Sequence, residues 1–267
     1  MSTSNPTRQE IIPPNTPTKQ SMILALKSQL AIDANCEKGD FDKRNNLVRL
    51  LNHHCKKRRN IPDDLLLFMA CFGKGTVAAV DQKLEAFMTK YLEGMEGFRC
   101  FDMPLHILEN ELAKYGGIIS EIEEFYLLDS HEICQVTSSF DIEILEGAAI
   151  KKLYGDHRFH MAMGYSQDSD RKEMLAVAAY KNGEILGVAA ASNDTDHIWQ
   201  IGVDVVPEKR RQHVATDMVK IISTEVLKRN KIPCYGTAWS NIASKRVAIN
   251  AGYQPVWVEM KARKNPI

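Results

Sequence analysis

The sequence predicts an α/β protein in two parts. A mostly helical α/β region spans residues 21–132, and strands alternating with helices fill residues 133–267. Three observations predict this. Apolar residues recur at helical spacing early in the chain. The period changes after about Cys134. Lys181-Asn182-Gly183 then joins two apolar runs through Asn-Gly, the strongest short hairpin signal.

Composition bounds the rest. Hydrophobic residues are 44% and charged residues 25% of 267, which excludes a wholly disordered chain. Lys+Arg 34 balances Asp+Glu 34, so no global basic excess drives binding to nucleic acid or to an anionic membrane. No apolar run approaches the ~20 residues of a membrane helix, and the polar N-terminus does not resemble a signal peptide. Six cysteines (36, 55, 71, 100, 134 and 234) lack a CxxC pair and read as free thiols. These features together predict a soluble, cytoplasmic protein.

In chain order, Pro6, Pro13, Pro14 and Pro17 lie among Ser, Thr and Asn, and residues 1–20 read as a flexible tail. Ile23, Leu26 and Leu30 predict a helix, and so do Leu47, Val48 and Leu51. Ile61-Pro62-Asp63-Asp64 reads as the first turn of a helix running to Gly73. Thr76–Val80 predicts a short strand. Leu84, Phe87, Met88 and Tyr91 mark one amphipathic helix; Leu105, Leu108 and Leu112, closed by Gly116, mark another. In the second part, 175–180, 184–191 and 197–206 predict strands, the last ended by Pro207. A helix follows on Val214, Met218, Ile221, Ile222 and Val226. A strand at 234–238, a helix capped by Ser240 or Asn241 and closed by Gly252, and a strand at 253–258 complete the order.

Chemistry concentrates in Val205-Val206-Pro207-Glu208-Lys209-Arg210-Arg211-Gln212-His213-Val214-Ala215-Thr216. A strand enters a basic turn that opens a helix. Unpaired N–H groups at the positive end of a helix cradle phosphate, Arg210 and Arg211 add charge, and the small Ala215 permits close approach. By itself a solvated basic turn reads as well.

The surroundings extend that reading. The Asn182-Gly183 hairpin, a strand, the proline turn, Arg210-x-x-His213-x-Ala215, Asn241-Ile242-Ala243-Ser244 and Ala251-Gly252-Tyr253 together resemble the GNAT acetyltransferases over residues 136–260. Trp199–Val205 and Tyr235–Ser244 look like a bacterial branch with an N-terminal extension similar to Cys71-Phe72-Gly73 and Phe98-Arg99-Cys100-Phe101 here.

The resemblance implies a GNAT-like mixed, splayed β-sheet flanked by helices, with acetyl-CoA as co-substrate. It implies that backbone groups of Val203 and Val205 meet the thioester arm. Arg210, Arg211, Gln212, His213, Val214, Ala215 and Thr216 would hold the pyrophosphate, and Asn241 and Ser244 would meet the pantetheine. Two departures stand out: His213 replaces the usual Gly, and Ala248 occupies the place of the usual Tyr acid. Asp204 is the first candidate for a base, ahead of Asp194 and Asp196, each of which also reads as a structural or solvated acid. Trp199 and Trp239 read as core, or as an aromatic wall beside the acyl site.

Other signals carry less. Lys56-Lys57-Arg58-Arg59 reads as the basic end of a helix. His53, His54 and Cys55 are consecutive and cannot all face one metal, and His157 and His160 lack a third ligand, so no metal is expected. Gly73-Lys74-Gly75-Thr76 lacks phosphate-loop spacing and reads as a turn. The expected function is transfer of an acetyl group to a small-molecule or peptide amine, with a homodimer left open. The alternative is a non-catalytic acyl-CoA binding or sensing module.

Overall fold

Thr18 opens the first helix by accepting the Ser21 amide on its side chain, and α1 runs Lys19–Asp33, starting inside the expected tail. The structure is a computed structural model describing residues 17–52, 56–101, 104–129, 138–164, 166 and 168–265. Residues 1–16, His53, His54, Cys55 and Cys134 lie outside them. After α1 come β1 (Leu47–Leu50), β2 (Leu65–Cys71), β3 (Thr76–Val80), α2 (Glu85–Leu92), α3 (Leu105–Ala113), β4 (Gly117–Leu128) and β5 (Asp141–Glu146). Then follow β6 (Glu173–Lys181), β7 (Glu184–Asn193), β8 (Ile198–Val205), α4 (Val214–Lys228), β9 (Ile232–Ala238), α5 (Ile242–Asn250) and β10 (Tyr253–Lys264).

Two expected helices are strands. Leu47–Leu50 pairs in parallel with β3, and Leu65–Cys71 is the wholly buried β2, antiparallel to β3 and β10. A seven-residue apolar run buried on both faces shows no period that separates strand from helix. The β6–β7 hairpin turns on Asn182 and Gly183, both at positive φ as this turn requires.

Among the described residues ten strands form one mixed sheet, ordered β1-β3-β2-β10-β4-β9-β8-β7-β6-β5. Of their pairings, β1/β3 and β8/β9 are parallel and the rest antiparallel. Helices and short turns cover both faces. Alternation on β4 shows the layering: Tyr126 and Leu128 join the core under α4, while Phe125 and Leu127 join the core under α1.

The sheet crosses the boundary expected at 132/133, which itself falls in 130–137, outside the described residues. Strand β4, from the first part, pairs with β10 from Leu128↔Tyr253 to Gly117↔Lys264, and with β9 from Leu127↔Cys234 to Glu123↔Ala238. Its sequence, with Glu121, Glu123 and Glu124 interrupting the apolar residues, carries no clean alternation, so the sequence reading passes it by.

The basic run 56–59 also differs from expectation. Arg58 is buried, with Nε 2.5 Å from Asp33 of α1 and Nη2 2.8 Å from Glu259 of β10. Both carboxylates are buried too, so the run ties the two parts together instead of capping a helix. No helix among the described residues is long and apolar enough to cross a membrane.

A fragment beginning at residue 138 lacks β4 and leaves the facing edges of β9 and β10 unpaired. It is expected to show no cooperative thermal transition and poorly dispersed amide NMR signals. A cooperatively melting fragment would show that β4 is dispensable.

Candidate functional site

Strands β8 and β9 pair over only four positions, from Ile198↔Ile232 to Ile201↔Tyr235. Beyond that β8 continues to Val205 against β7 alone, and β9 continues to Ala238 against β4 alone. The sheet therefore opens into a fork between β8 and β9, which gives it the splayed form the resemblance implied. The Val206 amide donates to Leu186 of β7, and the Ile232 amide donates to His197. Backbone groups alternate sides along a strand, so those of Ile201, Val203 and Val205 point toward β9. Past Ile201 no strand meets them. The Val205 carbonyl accepts Arg210 Nε at 3.2 Å, while the Val203 edge and the Val205 amide face the opening.

The chain then turns at Pro207–Lys209 and enters α4. Arg211 (φ 62°) and His213 (φ 63°) are both left-handed. A position with positive φ favours glycine, and histidine there carries a strain of about 1 kcal/mol. His213 is the N-cap of α4 yet makes no side-chain cap bond, so the first-turn amides at Val214, Ala215 and Thr216 lack intrahelical or capping partners. Arg210, Arg211, Gln212 and His213 are exposed beside them, and Val214 and Thr216 are buried. The seven candidate phosphate-contacting residues, Arg210 through Thr216, thus surround one uncapped helix start adjoining the fork.

On the other side, the Asn241 side chain caps α5 by accepting the Ser244 amide at 3.1 Å. The Ser244 hydroxyl lies 3.0 Å from that of Tyr235, the last β9 residue paired with β8. Burial pushes the Tyr235 phenol up, against the Ser244 bond, and Asp204 adds to the rise. Ala248 is fully buried, so α5 presents no phenol there.

The acids take structural partners. Asp204 Oδ2 accepts the amides of Met161 and Ala162 at 2.7 and 3.0 Å. The same segment packs over Gly202, where an added Cβ would lie 2.5 Å from the Met161 carbonyl oxygen. The Gly202–Asp204 face of β8 is thus closed by the chain, and Asp204 anchors that segment through Oδ2. Asp194 is buried and paired with Arg171 at 2.7 Å; burial pushes its carboxyl up against the nearby Arg171 and Arg58. Arg171 also donates to Gln200 Oε1 at 3.2 Å, and the Gln200 amide nitrogen lies close over Gly236 in the fork. Asp196 is exposed and bridged to Arg59 at 2.6 Å. Sequence reasoning missed Met161, Ala162, Arg171 and Gln200, whose partners are distant in sequence. Trp199 packs in the core, whereas Trp239 is exposed just past the end of β9 and lines a cavity.

No family model matches the chain, and no curated protein matches it. Solved structures do. A GCN5-related N-acetyltransferase-like protein from Streptococcus suis is 13% identical, with 74% of this chain and 83% of that one covered and a TM-score of 0.46. A GNAT-family acetyltransferase from Colwellia psychrerythraea is 11% identical, covering 94% and 98%, with a TM-score of 0.45. A GCN5-related N-acetyltransferase from Kribbella flavida is 14% identical, covering 60% and 64%, with a TM-score of 0.43.

Two substitutions test this geometry by thermal unfolding. Asp204→Ala leaves two amides without their acceptor and is expected to cost about 1–3 kcal/mol. His213→Gly relieves the left-handed strain and is expected to gain about 1 kcal/mol. An unchanged melting temperature in Asp204→Ala would remove the anchor role.

Proposed function

We propose that this chain binds acetyl-CoA in the fork between β8 and β9 and transfers the acetyl group to an amine. One observation carries the reading. The strand edge that loses its partner at Ile201/Tyr235 lies next to an uncapped helix start flanked by Arg210 and Arg211. A thioester arm with an anionic diphosphate at one end needs those two features side by side. The free amides on the β8 edge are fixed donors for the thioester carbonyl, where negative charge develops, and they reach it without rearrangement. The first-turn amides of α4 and the two guanidinium groups match phosphate.

The reaction balances simply. The neutral amine nitrogen attacks the acetyl carbon, the N–C bond forms, and the C–S bond breaks. The sulfur leaves as thiolate, and the nitrogen loses its extra proton. With Ala248 in place of a phenol, and with Asp194, Asp196 and Asp204 each committed to a partner, that proton goes to water or to another group. The same absence of an assigned acid and base favours a second reading, an acyl-CoA binding module without turnover. A panel of amines with acetyl-CoA separates the two.

Calorimetry with CoA is the direct test. Affinity is expected to fall as salt rises, because the phosphate contacts are between charges. The Arg210→Ala/Arg211→Ala double variant is expected to bind about 10–100-fold more weakly, the range for losing charge-assisted hydrogen bonds. Equal affinity in the double variant would remove the phosphate assignment, and no CoA binding at all would remove the function.

A further inference from the structure

Gln200 stands at the root of the fork, on the face of β8 turned away from α4. Trp199 and Ile201, on either side of it, join the core under α4. Strand alternation therefore turns the Gln200 side chain to the opposite face, which it shares with Gly202 and Asp204. Gln200 pairs with Cys234, and Ile201↔Tyr235 is the last rung between the two strands. Continuing that register sets Gly202 level with Gly236, where β8 and β9 first stand apart. Gly236 carries no side chain, and Gln200 uses the space. An added Cβ there would lie 2.8 Å from Gln200 Nε2 and 2.6 Å from the Phe125 ring. The end of the side chain thus reaches forward from its own rung to the first open one.

Arg171 decides which end of the amide meets the opening. A guanidinium only donates, and Arg171 Nη2 donates to Gln200 Oε1 at 3.2 Å. The oxygen is thereby turned to Arg171 and the NH2 group toward Gly236. Arg171 is held in its turn, with Nε and Nη2 at 2.8 and 2.7 Å from Oδ1 of the buried Asp194. The residue after it is tied to the end of β7 through both backbone groups. The Lys172 amide donates to Asn193 Oδ1 at 2.8 Å, and the Asn193 amide donates to the Lys172 carbonyl at 3.1 Å. Gln200 is half-buried, and among the described residues no acceptor takes a hydrogen bond from its Nε2. Side chains from three segments of the chain thus hold a donor over the fork.

The geometry points to Gln200 as a donor to the acyl oxygen of the bound thioester, with Arg171 and Asp194 as its positioning residues. The Val203 N–H faces the opening from the β8 edge, one residue past the Gly202/Gly236 level, and the Gln200 amide approaches it over β9. A carbonyl oxygen between them accepts from both. As the amine adds to the acetyl carbon, that oxygen gains negative charge, and donors already held in place stabilise it without rearrangement. Two N–H groups converging on one point select an acceptor atom and disfavour an ammonium. This inference rests on the acetyl-CoA reading above and adds to it a side chain that recognises the acyl group separately from the phosphate arm.

Calorimetry on the full chain, with no amine present, compares acetyl-CoA with S-ethyl-CoA, which keeps the whole arm and replaces the carbonyl by a methylene. Gln200→Leu is expected to weaken acetyl-CoA binding about three- to tenfold, the range for one hydrogen bond, and to leave S-ethyl-CoA unchanged. Gln200→Glu keeps the shape and gives Arg171 a stronger partner, but it turns an oxygen toward the fork. Acetyl-CoA is expected to bind it about tenfold more weakly, again with S-ethyl-CoA unchanged. A role confined to holding Arg171 would survive that substitution. Arg171→Lys keeps a cation for Asp194 but lacks the planar donor set that also reaches Gln200, and is expected to lose about threefold for acetyl-CoA alone. Thermal melts check that each variant is folded. An equal effect of the Gln200 variants on both ligands, or no effect on either, overturns the Gln200 contact and leaves the acetyl-CoA reading standing. Full acetyl-CoA affinity in Arg171→Lys overturns the positioning role. No binding of either ligand to the unaltered chain overturns the reading itself, and the contact with it.

Discussion

A strand in the middle of a sheet must satisfy donors and acceptors on both edges, and β4 meets that condition only by lying between β9 and β10. The rest of the molecule follows from this placement. Strand β10 is twelve residues long and is held by β4 on one edge and β2 on the other, so the first part of the chain extends the sheet of the second. Two further ties cross the same line. Phe72 stacks on Trp257, which stacks on Phe125 at a centroid distance of 4.7 Å. Arg58 places a buried guanidinium between Asp33 and Glu259. Desolvating those three charges is costly, and losing one partner would leave an uncompensated charge inside the protein. The ion pairs therefore do more to fix which surfaces meet than to add net stability.

The fork follows from the same arrangement. Each of its strands is firmly held on its far side only: β8 by β7 as far as Val205, and β9 by β4 as far as Ala238. Asp204 adds a second restraint to β8 by drawing in the Met161 and Ala162 amides. With both outer sides fixed, the inner edges can stay apart without the strands fraying. The opening is a property of the sheet and not of a loop, so its unpaired backbone groups are positioned before any ligand arrives.

Much of this was legible wherever the signal is local. The Asn182-Gly183 hairpin, the amphipathic face of α4, the Asn241 cap and the proline after β8 each depend on neighbours within a few residues, and each stands where the sequence put it. What was not legible depends on partners far along the chain. Leu65–Cys71 looks like a helix until β3 and β10 flank it, and Gly117–Leu128 looks like neither until β9 and β10 bracket it. Arg58 sits in a run of four basic residues that looks solvated, and only Asp33 and Glu259, one before it and one far after, show that it is buried. Asp204 met the same limit: nothing near it in sequence shows that its carboxylate holds the Met161 and Ala162 amides.

Departures from ordinary local rules gather at one place. The β8 edge gives up its partner after Ile201, α4 begins without a side-chain cap, and Arg211 and His213 both hold left-handed backbone. Each has a cost: an unpaired or water-dependent amide at the strand, about 1 kcal/mol for the missing cap, and a similar strain at each left-handed residue. Elsewhere among the described residues the left-handed non-glycine positions are Asn35, Asn182 and Asn230, the residue type that tolerates this conformation best. Histidine shares some of that tolerance and arginine does not, and the two fall within three positions beside an open strand edge. A protein selected for stability alone would close the edge, cap the helix and place glycine at 213. Keeping all three costs in contact with one another makes sense when a ligand's oxygen atoms supply the missing partners, so that binding repairs in one step what folding leaves undone.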